Sequence, residues 1–180
     1  MIKNSLLENK NVLITGGAGF IGSELTKQVL SYGANVSVVD NLVNGKKSNL
    51  NLDDKNLFFH EEDIRNQQVM QNLISKSDYV FNLACLGVRH SIHSPIESHS
   101  VNADATLNLL KISRESKIKK FVHISTSEVY GTAKYVPMTE EHPTAPHTVY
   151  GASKLAGEAY ARAYSTVSYT HLTLPTTNSV

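Results

Sequence analysis

Residues 11–22 of this 180-residue chain restrict its fold more than any other stretch. The apolar run Asn11-Val12-Leu13-Ile14 passes without a linker into Thr15-Gly16-Gly17-Ala18-Gly19-Phe20-Ile21-Gly22. A short apolar run bounded by turn residues suits a buried strand. Glycines at 16, 19 and 22, with Gly17 completing a G-x-G-x-x-G spacing, let the backbone turn sharply and approach a pyrophosphate closely. The helix predicted from about Phe20 to Tyr32 starts with Phe20 and Ile21, so its first N–H groups and positive dipole end are offered to that anion. Gly33 stops the helix, Asn35-Val36-Ser37-Val38-Val39 reads as a second strand, and Asp40 stands at its end, followed by Asn41. A carboxylate there accepts both hydroxyls of an adenosine ribose and repels a 2′-phosphate, which favours NAD over NADP. A glycine run alone is a weak signal, and its force comes from this placement between strand and helix.

Further along, strand and helix keep alternating. Leu57–His60 reads as a strand, Gln67 to Lys76 as a helix and Asp78–Leu83 as a fourth strand. A long helix is predicted from about Pro95 to Ser116, with Val101, Ala105, Leu109 and Ile112 on one stripe. Lys119–Ile124 then forms a fifth strand that delivers Ser125-Thr126-Ser127-Glu128 at its carboxyl end. The alternation predicts an α/β fold with a Rossmann-like doubly wound parallel sheet, whose ligands bind at that edge.

Composition agrees: the length suits one domain, and 41% hydrophobic residues suffice for a core. A net charge of +1 gives no reason to expect nucleic acid or an acidic membrane as partner. No stretch approaches the ~20 apolar residues of a membrane span, and residues 1–10 lack an apolar signal region. Cys85 is the only cysteine, so an intrachain disulfide is excluded and a reducing, cytoplasmic setting is expected. His90 and His93 sit three apart, but no carboxylate or cysteine set joins them at ligand spacing, and no metal site is expected.

Tyr150 and Lys154 form a Tyr-x-x-x-Lys pair in a stretch that reads as helix, which places phenol and ammonium on one face. An ammonium beside a phenol favours the phenolate, so Tyr150 is expected to become a usable base below its ordinary value of about 10. Such a base takes a proton from an alcohol.

Taken in order, the glycine run, Asp40-Asn41-Leu42 with Gly45-Lys46, Asp63-Ile64-Arg65, Asn82-Leu83-Ala84, Val101-Asn102, Ser125-Thr126-Ser127-Glu128-Val129-Tyr130-Gly131 and Tyr150-Gly151-Ala152-Ser153-Lys154 resemble one family. It is the NAD-dependent epimerase/dehydratase branch of the extended short-chain dehydrogenase/reductases, which acts on nucleotide sugars. The resemblance covers about Lys10 to Ala163. It implies Asp63 and Ile64 at the adenine, Leu83 and Ala84 along the phosphate-ribose path, and Lys154 on the nicotinamide ribose. Thr126 would hydrogen-bond the C4 hydroxyl that Tyr150 deprotonates, giving a 4-keto sugar. Epimerisation, 4,6-dehydration or decarboxylation would follow, on a nucleotide-diphosphate sugar, in a homodimer paired through the long helix and the Tyr150 helix. Subfamily signals conflict. Thr126-Ser127-Glu128 resembles nucleotide-sugar decarboxylases, and Ser127 stands where dehydratases usually carry Asp. Gly87-Val88-Arg89, with Ser91 and Pro95, resembles the loop after strand four in nucleotide-hexose epimerases, which makes Arg89 a candidate substrate contact.

From Val167 the chain reads Val-Ser-Tyr-Thr-His-Leu-Thr-Leu-Pro-Thr-Thr, where the family enters a further strand. Residues 167–177 resemble the translation of a transposase-type sequencing adapter. The expected organisation is therefore a truncated NAD-binding domain over 1–166, a non-native tail over 167–180, and a missing C-terminal substrate domain. Such a product is expected to be poorly soluble and inactive.

Overall fold

The computed structural model describes residues 6–116 and 118–168. Five strands, β1 (Asn11–Thr15), β2 (Asn35–Val39), β3 (Leu57–His60), β4 (Tyr79–Asn82) and β5 (Lys120–His123), form one parallel sheet in the order β3-β2-β1-β4-β5. Central β1 is flanked by a strand on each side and covered on both faces, which is why its sequence is a continuous apolar run rather than an alternating one. Its side chains still divide by parity. Val12 and Ile14 join Val36, Val38 and Val29 under helix α1 (Phe20–Ser31). Leu13 joins Val80, Phe121 and Leu109 on the opposite face.

That second face is covered by α2 (Gln67–Ile74), by a helical run after β4, and by α6 (Val149–Ser168). The run opens with α3 (Val88–His93), where the sequence predicts a loop, and continues as α4 (Pro95–His99), a π-helical segment (Ser100–Ala105) and α5 (Thr106–Glu115). Val101, Ala105, Leu109 and Ile112 are all buried, so the predicted stripe survives the π turn. The sequence predicts a tail over 167–180. Residues 169–180 lie outside the described residues, while the backbone of 167 and 168 continues α6.

A buried polar chain ties the carboxyl ends of the strands together. Thr15 Oγ1 donates to Asn82 Oδ1 at 2.7 Å, and Asn82 Nδ2 donates to Thr106 Oγ1 at 3.2 Å. His123 Nδ1 lies 3.2 Å from that same amide nitrogen. Asn102, in the π segment, donates to Leu86 O at 2.9 Å and to Ser153 Oγ at 3.0 Å on α6, and accepts from Leu86 N at 2.9 Å. Every polar atom of its amide is thereby engaged, which is what burial of a primary amide demands.

His123 carries a testable cost. It is 1% exposed, and burial first, then the Lys154 charge, push its imidazole down to about 3. The folded state therefore holds the neutral ring while the unfolded chain takes up a proton near 6.5. This contribution is fully present above about pH 6.5 and is lost as pH falls toward about 3, at roughly 1.4 kcal/mol per pH unit within that window. Chemical denaturation between pH 7 and 4 should show a steeper loss of stability for the wild type than for His123→Asn, which retains an acceptor for Asn82. Equal slopes would refute the assignment.

Candidate functional site

A cleft of about 620 Å³ opens at the carboxyl edge of the sheet, above β1 and β4, where chain connections leave in opposite directions. Its floor is the glycine turn. Gly16 sits at φ +70°, and a Cβ there would come within 2.8 Å of the Ala84 backbone nitrogen; at Gly22 a Cβ would strike the Gly16 carbonyl. Bare backbone is therefore what lets α1 start this close to β4. Gly19 precedes α1 without a side-chain cap, which leaves the N–H groups of the first turn to a ligand. Phe20 and Ile21 line the cleft beside Gly16, Gly19 and Gly22, with the Phe20 side chain 94% exposed.

Asp40 ends β2 in the cleft wall. Its carboxylate accepts from Ala18 N at 3.0 Å and from Leu42 N at 2.8 Å, so it braces the glycine turn as well as facing the ligand space. Gly45 packs against it so tightly that a Cβ would lie 2.7 Å from Oδ1. Next to it, Asn41 donates to Asp63 at 3.1 Å, and Asp63 takes a two-pronged contact from Arg65 at 2.9 and 2.7 Å. The Arg65 hydrogen bond holds the Asp63 carboxyl below the usual carboxylate range, against its partial burial. Ile64, Leu83 and Ala84 complete this half of the lining, and Arg89 reaches it from α3.

The other half comes from α6. Thr148 accepts from Gly151 N at 2.9 Å at the start of the helix, and its hydroxyl donates to Glu128 at 3.3 Å. Tyr150 and Lys154 both line the cleft. Lys154 is 2% exposed and donates to the Ile124 carbonyl at 2.6 Å. Burial pushes its ammonium down from the ordinary lysine value, with Cys85 and Glu158 opposing that shift. The sequence predicts a phenol drawn down by this lysine, and the structure corrects that. Burial and Cys85 hold Tyr150 above its ordinary value, with the Thr126 side chain opposing them. The physical reason is that the phenol is half-buried beside the Cys85 thiol, while the Lys154 ammonium donates to the Ile124 carbonyl.

Thr126, Ser127 and Glu128 lie outside the cleft lining. Thr126 bonds the Tyr150 side chain and accepts from Glu128 N at 3.3 Å, whereas Ser127 and Glu128 are exposed. Among the lining residues given no role from sequence are Cys85 and Ser125. Cys85 is visible there only as an isolated cysteine, and Ser125 only as the residue before Thr126. The Ser125 hydroxyl is buried without a hydrogen-bond partner, an orphan suited to a ligand. Together these groups bring a glycine turn with an uncapped helix start, a carboxylate, a phenol and an ammonium into one cleft. No group of three His, Cys, Asp or Glu among the described residues is placed to hold a metal, and no described helix is long and apolar enough to cross a membrane.

A family model described as GDP-mannose 4,6 dehydratase matches residues 13–177. A putative UDP-glucose 4-epimerase from Methanocaldococcus jannaschii is 35% identical over 157 residues, covering 86% of this chain and 50% of the relative. The crystal structure of a UDP-glucose 4-epimerase with UDP-glucose from Thermotoga maritima superposes with a TM-score of 0.85 at 35% identity, over 91% of this chain and 54% of that one. The dTDP-glucose 4,6-dehydratase DesIV from Streptomyces venezuelae, with NAD bound, gives a TM-score of 0.86 at 32% identity, over 91% and 54%. This chain thus spans about half the length of the curated relatives it matches.

The glycine turn makes a direct prediction. Gly22→Ala should destabilise the fold by about 1–3 kcal/mol through overpacking against Gly16 and abolish dinucleotide binding. Thermal denaturation with calorimetric NAD titration checks both, and binding at wild-type affinity would contradict the close approach.

Proposed function

This chain belongs to the GDP-mannose 4,6 dehydratase family, and we propose that it serves a nucleotide-sugar 4-epimerase or 4,6-dehydratase that oxidises a hexose at C4. What carries the proposal is that Tyr150 and Lys154 share one cleft with the glycine turn and Asp40. NAD fits that cleft: bare backbone at Gly16 and Gly22, free first-turn N–H groups of α1, the Asp40 carboxylate and the unpartnered Ser125 hydroxyl suit a dinucleotide. Its presence in the DesIV structure supports the same cofactor. When bound, it accepts a hydride from the sugar and returns it.

In this scheme Asp40 takes the adenosine ribose, Asn41, Asp63 and Ile64 the adenine end, and Leu83 and Ala84 the path between. Tyr150 moves the proton of the C4 hydroxyl, Thr126 hydrogen-bonds that hydroxyl, and Arg89 meets the nucleotide-sugar from α3. The phenol stands above its ordinary value, so near neutral pH it holds a proton to give to the sugar oxygen. Taking the proton from the sugar in the opposite direction draws on the Thr126 hydrogen bond, which lowers the phenol. Pairing of two chains along the long helical run and α6 belongs to the same scheme, and sedimentation tests it.

Glu128 favours a second reading, a UDP-uronic acid decarboxylase. Its carboxylate is held by Thr148, one residue from the start of α6, and raises Tyr150 further. Release of carbon dioxide from a UDP-uronic acid, lost in Glu128→Gln, would select that reading. Formation of an epimeric or 4-keto product without carbon dioxide would select the first.

Tyr150→Phe in the protein with its C-terminal half should lower kcat by about 10² or more while leaving NAD affinity within a few fold. Activity close to wild type would place the base elsewhere. Expressed alone, the 180 residues are expected to bind NAD without turning over a nucleotide sugar, and any measurable epimerisation or dehydration would refute this.

A further inference from the structure

Four side chains from two different chain connections are joined end to end beside the cleft. Asp63 and Arg65 follow β3, whereas His90 on α3 and Glu97 on α4 follow β4. Asp63 Oδ1 accepts from Arg65 Nε at 2.9 Å, and its Oδ2 accepts from Arg65 Nη2 at 2.7 Å. The same Nη2 reaches Glu97 Oε1 at 3.4 Å, and Glu97 Oε2 lies 2.8 Å from His90 Nε2. A carboxylate only accepts, so that imidazole nitrogen carries the proton. Each oxygen of Glu97 thus has its own partner, one on each connection.

The sheet order gives this row its reach. With β3-β2-β1-β4 side by side, the ends of β3 and β4 stand three inter-strand steps apart. At about 4.8 Å per step, that is roughly 14 Å. Asp63 and His90 both line the cleft while Arg65 and Glu97 do not, which puts the tie along the rim, from one wall to the other. The plainer account of Glu97 is a first-turn carboxylate placed for a helix dipole. α4 has only five residues, however, and both Glu97 oxygens are taken by side chains outside it. Arg65 and Glu97 are 38% and 44% exposed, and a pair so placed adds little to stability. A weak contact is what a latch requires, since it must open for each passage of a ligand. The two-pronged grip of Asp63 already fixes the guanidinium, so less side-chain freedom is lost when the latch closes.

We propose that Glu97 is the latch of a strap across the cleft: its contact with Arg65 holds the connections leaving β3 and β4 together, and the cleft admits and releases its dinucleotide when that contact opens. The inference rests on the cofactor reading given above, and it separates the groups that bind the dinucleotide from one that times its exchange. Glu97 lies outside the lining, so its loss removes no contact from a bound dinucleotide. A latch of this kind slows entry and release together and leaves affinity unchanged.

The chain has no tryptophan, so the fluorescence of NADH itself reports its uptake, and its displacement by excess NAD, in stopped flow. Glu97→Ala should speed both association and release by roughly three- to tenfold, with Kd within about twofold of wild type. Glu97→Asp keeps the first-turn charge but loses one methylene of reach, and it should speed both rates as well. Wild-type rates in Glu97→Asp beside faster ones in Glu97→Ala would return Glu97 to the dipole account and overturn the proposal. Unchanged rates in Glu97→Ala overturn it too, as does faster release with unchanged association, the mark of an ordinary binding contact. Amide hydrogen exchange in α3, measured without dinucleotide, gives a second readout and should be faster in Glu97→Ala. If the wild type takes up no NADH, the cofactor reading fails; faster exchange in α3 then still supports the tie, and unchanged exchange overturns it. If the wild type binds NADH and neither rates nor exchange respond to Glu97→Ala, the strap fails and the cofactor reading stands.

Discussion

At Gly16 the backbone comes so near Ala84 that no side chain fits between them, and this contact sets where everything else in the cleft must lie. It is possible only because β1 and β4 are neighbours in a parallel register, Thr15 opposite Asn82, with the Thr15 hydroxyl donating to the Asn82 amide across the pair. The Ala84 N–H then donates to the same hydroxyl at 3.2 Å. One buried threonine thus fixes the glycine turn against the opening of the β4 connection. An unmade bond at either partner would leave a buried polar group costing about 1–3 kcal/mol.

From that contact the constraint spreads outward by polar side chains rather than by apolar packing alone. Asn82 reaches Thr106, Thr106 donates to the Asn102 carbonyl, and Asn102 reaches Ser153 on α6. Ser153 lies between Tyr150 and Lys154 and donates to the Tyr150 carbonyl at 2.8 Å. The phenol–ammonium pair is therefore held in register with the glycine turn through a chain of neutral donors and acceptors. Apolar contacts in the same region would allow sliding by small amounts, whereas an amide with all its bonds made does not.

Most of this architecture was legible in the sequence where a local rule governs. The strand-turn-helix at 11–22, the five strands and the buried stripe on the long helix follow from periodicity and glycine placement, and all are present. What escaped was set by distant contacts. Val88-Arg89-His90-Ser91-Ile92-His93 has no apolar period and is too short to announce α3, which leans on α4 and α6. The π segment is silent because a stripe at 101, 105, 109 and 112 reads the same with or without it. Asp40 was legible as a carboxylate at the end of its strand, but its brace to Ala18 depends on where the glycine turn comes to rest.

Tyr150 shows the limit most sharply, since spacing alone places an ammonium on its helix face and suggests a depressed phenol. Spacing does not reveal that Lys154 turns inward to a carbonyl 30 residues earlier in the chain, or that Cys85 faces the ring. Burial then works on the two groups in the same sense, favouring the neutral phenol and the neutral amine. An acid/base pair in which both members are neutral moves protons less readily than one whose ammonium is retained. Cys85, after β4, and Glu158 oppose the loss of charge at the amine, while the Thr126 side chain opposes the rise at the phenol.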